Sequence, residues 1–180
     1  LLKVEILSKK LNAGEPNLFL TLVQAVPKGA GFDYVIEKGT EIGLSAFQPV
    51  ITERSIIEPG NRIDRWKKKA LTAMKQCGRS RCPDVYAPIE FKEALSRYRQ
   101  DLLMIAHESY TNDQADYTVK ISQAKRIALL IGPEGGFTEQ EFKLALNNGA
   151  KPMTLGPRRL RSDTAGLVGA IKILDAAGEL

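Results

Sequence analysis

The residues Ile127-Ala128-Leu129-Leu130-Ile131, bounded by Arg126 and Gly132, are apolar without interruption. As a strand, such a run turns apolar side chains to both faces of its sheet, so helices must cover both faces. Asp101-Leu102-Leu103-Met104-Ile105-Ala106 has the same character. Strand and helix patterns alternate around these two runs. Leu18 to Val23 reads as a strand closed by Pro27-Lys28-Gly29, Phe32 to Ile42 as a helix stopped by Gly43, and Ala46 to Ile51 as a second strand. Beyond them lie a helix ending near Gly78, a short strand from Val85 to Ala87 and a helix from Phe91 to Tyr98. A helix from Thr138 to Asn147, a strand from Pro152 to Leu155 and a last helix from Asp163 onward complete the pattern. This order predicts an α/β fold with a mostly parallel sheet flanked by helices. Val4-Glu5-Ile6-Leu7 reads as a stray strand ahead of a polar break at 12–17, as the tail of an upstream domain would.

With 180 residues, 43% apolar and 26% charged, the chain has the size and composition of one globular domain. No run approaches the roughly 20 apolar residues of a membrane span, so no membrane partner is expected. The opening Leu1-Leu2-Lys3-Val4-Glu5 lacks the n-region and cleavage site of a signal peptide. A cytoplasmic location is the expectation, and the missing initiator Met points to a chain without its true start. Cys77 and Cys82 have no Cys or His close by in sequence. They suit neither a disulfide framework nor a four-ligand zinc site, and no metal is expected.

The net charge of +5 is unevenly placed. Between Arg62 and Arg81 lie Arg62, Arg65, Lys67, Lys68, Lys69, Lys75, Arg79 and Arg81 against the single acid Asp64, so the rest of the chain is net negative. Ile63, Trp66, Ala70, Ala73, Met74 and Cys77 recur at helical spacing in this segment and form its inner stripe. The cations fall off that stripe. A solubilising surface mixes signs, whereas a phosphate-binding one does not. Nucleic acid is the expected partner, with Arg62, Lys68, Lys69 and Arg79 meeting phosphates.

Two strand ends are rich in Gly and Pro. One is Leu130-Ile131-Gly132-Pro133-Glu134-Gly135-Gly136-Phe137, leading into a helix that Thr138 can N-cap with Glu141 as its capping-box partner. The other is Leu155-Gly156-Pro157-Arg158-Arg159-Leu160-Arg161-Ser162-Asp163-Thr164, leading into the last helix, with Ser162 and Asp163 read as capping residues. In open α/β sheets ligands bind beyond the carboxyl ends of the strands, and these two strands are expected to be neighbours. Neither the P-loop pattern nor a complete G-x-G-x-x-G is present, and Glu134 would repel a phosphate. A cofactor with an adenine, a ribose and a cationic centre but no phosphate fits better, and S-adenosylmethionine has that make-up.

These two motifs, in this order, resemble the signature of the 16S ribosomal RNA uridine-N3 methyltransferases, a family of the SPOUT superfamily. Val26-Pro27-Lys28-Gly29, Lys38-Gly39-Thr40-Glu41-Ile42-Gly43, Pro49, Glu53-Arg54-Ser55 and Gln76-Cys77-Gly78-Arg79 extend the similarity over roughly residues 18–175. Lys75 stands where the family often has Glu, and Ser162-Asp163 where Thr-Glu is common. The resemblance implies a C-terminal trefoil knot and S-adenosylmethionine held at Ala106, His107, Ile131, Gly132, Pro133, Gly135, Gly136, Leu155, Gly156, Leu160, Arg161 and Thr164. It implies contact with 16S rRNA, alone or in the small ribosomal subunit, to which we assign Lys28, Arg62, Lys68, Lys69, Gln76, Arg79 and Arg81. Residues 1–12 then correspond to the remnant of an N-terminal PUA-like RNA-binding domain and 17–180 to the methyltransferase domain.

Family members dimerise, partly through the C-terminal helix. Here that helix carries Leu167, Val168, Ala170, Ile171, Ile173 and Leu174, with Gly166 and Gly169 open to another backbone. Arg161 is the candidate catalytic residue, stabilising the uracil anion that forms when N3 loses its proton. The acceptor of that proton stays open. Ribose 2′-O methylation by a SPOUT enzyme and non-catalytic RNA binding are the alternatives.

Overall fold

The computed structural model describes residues 3–55, 62–108 and 120–180. Its strands are β1 (Phe19–Ala25), β2 (Ala46–Ile51), β3 (Asp84–Val85), β4 (Ile89–Glu90), β5 (Leu102–Ala106), β6 (Arg126–Ile131) and β7 (Lys151–Met153). Its helices are α1 (Gly31–Ile42), α2 (Ile63–Cys77), α3 (Phe91–Arg97), α4 (Glu139–Asn147) and α5 (Ser162–Ala176). Among the described residues, all seven strands join one sheet in the order β3-β2-β1-β6-β5-β7, with β4 also on β2, and every pairing is parallel.

The apolar run at 127–131 lies in the middle of this sheet. Ile127, Leu129 and Ile131 pack with Phe32, Trp66, Ala170 and Ile173 of α1, α2 and α5. Ala128 and Leu130 pack on the other face with Ala94 and Leu95 of α3 and Ala145 of α4. The three-layer arrangement follows from a strand apolar at every position. α1 and α2 meet through Phe32 and Trp66, edge to face with centroids 4.7 Å apart. No helix among the described residues is long and apolar enough to cross a membrane.

Several expectations need correction. β6 and β7 are not neighbours, because β5 lies between them. The short strand expected at 85–87 forms at 84–85, and β4 was not anticipated, since two residues carry no periodicity. Residues 3–10 form no strand, and Val4, Ile6 and Leu7 are exposed, while residues 1 and 2 lie outside the described residues. An apolar alternation makes a strand only where an edge is available to pair with it. Gly166 and Gly169 do not open α5 to another chain. A Cβ on Gly166 would collide with Gln24 Oε1, and one on Gly169 would stand 2.8 Å from Leu129 Cδ2, so both face the sheet of their own chain.

Candidate cofactor and RNA site

The carboxyl ends of β5 and β6 and the loops that follow β5, β6 and β7 surround an open cavity of about 560 Å³. Ala106 and His107 line it from β5, Ile131, Gly132, Pro133, Glu134, Gly135 and Gly136 from β6, and Leu155, Gly156, Pro157, Arg158, Arg159 and Leu160 from beyond β7. Because β5 sits between the other two strands, the His107 backbone forms the bridge between the glycine-rich loops. Its N–H donates to the Met153 carbonyl at 3.3 Å, and its ring stacks on Phe142 with centroids 4.0 Å apart.

Both loops depend on glycine. Gly136 has φ +68° and Gly156 φ +118°, where a side chain would be strained. The β6 loop is then fixed from outside. Thr138 N-caps α4, its hydroxyl accepting from Glu141 N at 3.2 Å while Glu141 Oε2 accepts from Thr138 N at 2.9 Å. The other Glu141 oxygen accepts from Glu53 N at 2.9 Å. That bond carries residues 52–55 to the cavity, where Arg54 Nη1 donates to the Gly135 carbonyl at 2.7 Å. Glu134 Oε1 in turn accepts from Lys28 N at 2.9 Å.

Not every expected residue lies in the cavity wall. Arg161 is the N-cap residue of α5, exposed, between the lining residues Leu160 and Ser162 and outside the lining itself. Thr164 is exposed too, its amide and hydroxyl both donating to Asp163 Oδ1. Asp163 therefore serves the first turn of α5. Ser162 does not cap it, because its hydroxyl donates to the Gly132 carbonyl at 2.7 Å.

The basic segment also needs revision. Its counter-charges lie elsewhere in the chain: Arg65 pairs with Asp33, Lys69 with Glu37 and Arg79 with Glu15. Arg79 is buried, and its guanidinium is taken up by Glu15 and by the carbonyls of Thr40 and Leu44, so no face is left for a phosphate. Arg81 is exposed but reaches Asn12 Oδ1 at 2.8 Å. Lys68 and Gln76 are exposed on α2, Arg62 stands half-buried at its start, and the Lys28 side chain is exposed beside the cavity loop. Among the described residues, Arg62, Lys67, Lys68 and Lys75 make no ion pair.

The RNA methyltransferase domain family matches residues 14–174. The chain belongs to that family. A ribosomal RNA small subunit methyltransferase E from Synechocystis sp. is 34% identical over 173 residues, which make up 94% of this chain and 57% of that protein. The chain thus spans little more than half the length of that relative. The structure of a ribosomal RNA small subunit methyltransferase E from Neisseria gonorrhoeae, bound to S-adenosyl methionine, is 33% identical with a TM-score of 0.82. The match covers 89% of this chain and 67% of that one. A methyltransferase from Legionella pneumophila, in complex with SAM, is 32% identical with a TM-score of 0.83, covering 90% of this chain and 68% of the other.

In this member of the RNA methyltransferase domain family, sequence reasoning assigned no role to Arg54, Glu108 or Arg159 at the cavity. Arg54 arrives through a bond to Glu141 that spans 88 positions, a separation no local pattern reveals. Glu108 and Arg159 form a two-point ion pair across the mouth, Nε to Oε2 at 2.8 Å and Nη2 to Oε1 at 2.9 Å. Arg159 donates to the Glu108 carboxyl and holds it below the usual carboxylate range. The double arginine at 158–159 was a usable signal; its acidic partner was not.

Proposed function

We propose that this chain is the catalytic part of an S-adenosylmethionine-dependent methyltransferase that modifies N3 of a uridine in 16S rRNA. The cavity behind the two glycine-rich loops carries the reading. Its volume lies within the roughly 300–1,000 Å³ usual for cofactor sites. Its lining suits this cofactor in particular. Leu155, Leu160 and Ile131 offer apolar surface to an adenine. When bound, S-adenosylmethionine supplies a methyl group on an electron-poor sulfonium. The protein's part is to hold the loops, exclude water and stabilise the uracil anion, which we assign to Arg161 at the rim.

The same reading takes residues 1–12 as the end of a PUA-like domain and the C-terminal segment as a trefoil knot. It also makes the enzyme a cytoplasmic homodimer, for which exposed Ile171 and half-exposed Leu167 and Val168 supply an apolar strip on α5. S-adenosylhomocysteine is expected to raise Tm, and Gly135→Val to abolish the rise, because any ligand specific for the native state stabilises it. A Cβ at Gly135 would already stand 3.3 Å from Arg54 Cδ. Mapping the methyl group on rRNA from cells lacking the protein completes the test. A methyl missing from a ribose instead of a uracil N3 would overturn the assignment.

The revised basic surface gives a separate expectation. α2 follows β2 and runs back along the sheet, so Arg62 stands at the cavity end of the helix and Lys75 at the far end. Replacing Arg62, Lys67, Lys68 and Lys75 by Gln should flatten the salt dependence of RNA affinity, by a slope of about 0.7 to 0.9 for each phosphate no longer neutralised. Replacing the paired Arg65 and Lys69 should change it far less. Cofactor affinity, read by calorimetry, should stay constant, since none of these residues lines the cavity. Equal slopes for the parent and the quadruple variant would mean that RNA is held elsewhere.

A further inference from the structure

We propose that Gln24 is a positioning residue for the methyl-donor site, its amide holding the tip of β6 through Ser162. The proposal rests on the cofactor reading above. Gln24 is fully buried near the end of β1, in register with Ile131, and does not line the cavity. Its Nε2 donates to the Ser162 carbonyl at 2.9 Å and lies 3.2 Å from the Ser162 hydroxyl. That hydroxyl has one proton, which goes to the Gly132 carbonyl at 2.7 Å, so toward Gln24 it can only accept. The direction of the relay is therefore fixed: Gln24 to Ser162 to Gly132. Turning the amide over would set Oε1 against the Ser162 carbonyl, acceptor against acceptor.

Two features set Gln24 apart from a residue that merely fills space. The first is a cost. Oε1 is buried with no hydrogen-bond partner among the described residues, and a buried acceptor left unsatisfied destabilises the fold. Leu20 and Leu22, on the same face of β1, show that an apolar side chain suits this layer. The second is the fit to α5. A Cβ on Gly166 would collide with Oε1, so the glycine leaves room for the amide. A polar group kept at this cost, with space made for it, is explained by what its donor holds. Ser162 and Gly132 both line the cavity, one as the first residue of α5, where the loop after β7 ends, and the other on the loop after β6. The relay sets the distance between those loops, and hence the width of the cleft in which the cofactor lies.

The test is a double-mutant cycle on Gln24→Met and Ser162→Ala, read by calorimetric titration with S-adenosylhomocysteine well below each variant's Tm. Each single change should weaken binding about tenfold, the size of one net hydrogen bond. The double variant should bind no worse than the weaker single, because the two residues act as one unit. Ser162→Thr, which keeps the hydroxyl, should recover most of what Ser162→Ala loses. In methylation assays kcat should fall while the KM for RNA holds. Ile173→Ala, on the same helix and away from the cavity, serves as a control for general destabilisation. Unchanged affinity in folded Gln24→Met, losses that add in the double variant, or an equal loss in Ile173→Ala would each overturn the proposal. If Gln24→Met does not fold, the Ser162→Ala and Ser162→Thr pair decides it: equal affinities overturn the relay, and recovery by Thr supports it. A parent protein that binds no S-adenosylhomocysteine overturns the cofactor reading and this proposal together, whereas a binding parent with insensitive variants overturns this proposal alone.

Discussion

Arg79→Met is expected to lower stability by about 3–5 kcal/mol, or on the order of 10 °C in Tm, in denaturant and thermal melts. The side chains of Arg79 and Glu15 are 4% and 7% exposed and meet at 2.7 Å. Removing the cation leaves Glu15 buried and charged, and it also strips a donor from the Thr40 and Leu44 carbonyls where α1 ends. The pair therefore ties residues 12–15 to the ends of α1 and α2. Burial alone would raise the Glu15 carboxyl. The Arg79 guanidinium, the Arg81 N–H and the Arg79 charge outweigh it and hold the carboxyl below its usual range. A depressed folded value gives stability that is complete above the unfolded value near 4.3 and lost as pH falls through the folded one. Glu15→Gln should accordingly flatten stability against pH below about 4. A loss under about 1 kcal/mol in Arg79→Met would show that the pair does not hold these segments together.

Arg161→Ala is expected to lower kcat by about 10²- to 10³-fold, the usual effect of deleting a group that stabilises charge in the transition state. Affinity for S-adenosylhomocysteine should move little, because the side chain stands at the rim and outside the cavity lining. Arg161→Lys should recover part of the rate, since an ammonium keeps the charge and loses the planar fork. Single-turnover kinetics and calorimetry on the same three proteins separate the two effects. Turnover near the parent's would move the role to Arg54, Arg158 or Arg159, which do line the cavity.

Much of the fold was legible because its signals are local. The uninterrupted apolar runs placed β5 and β6, and the glycines at 43 and 78 placed the ends of α1 and α2. Thr138 with Glu141 gave the start of α4 to the residue. The glycine-rich loops were legible for the same reason. What escaped involves partners far apart in sequence. The place of β5 between β6 and β7 is a matter of pairing, on which periodicity is silent. Arg79 read as a phosphate ligand because its partner Glu15 is 64 positions away. Gln24 was invisible as well, since one amide in an apolar strand looks like an interruption until Ser162, 138 residues later, folds against it.

The strand order has a further consequence for the chain as it is made. β1 needs β6 as a neighbour, Phe19 pairing with Arg126 and Gln24 with Ile131. Until residue 131 has left the ribosome, β1 and β2 form an unfinished edge. α5, which covers one face of that sheet, emerges after β6. Closing the sheet must therefore await pairings of very long sequence separation, which are slow to form and leave open edges at risk of aggregation. The C-terminal third of this chain therefore completes the sheet as well as lining the cavity.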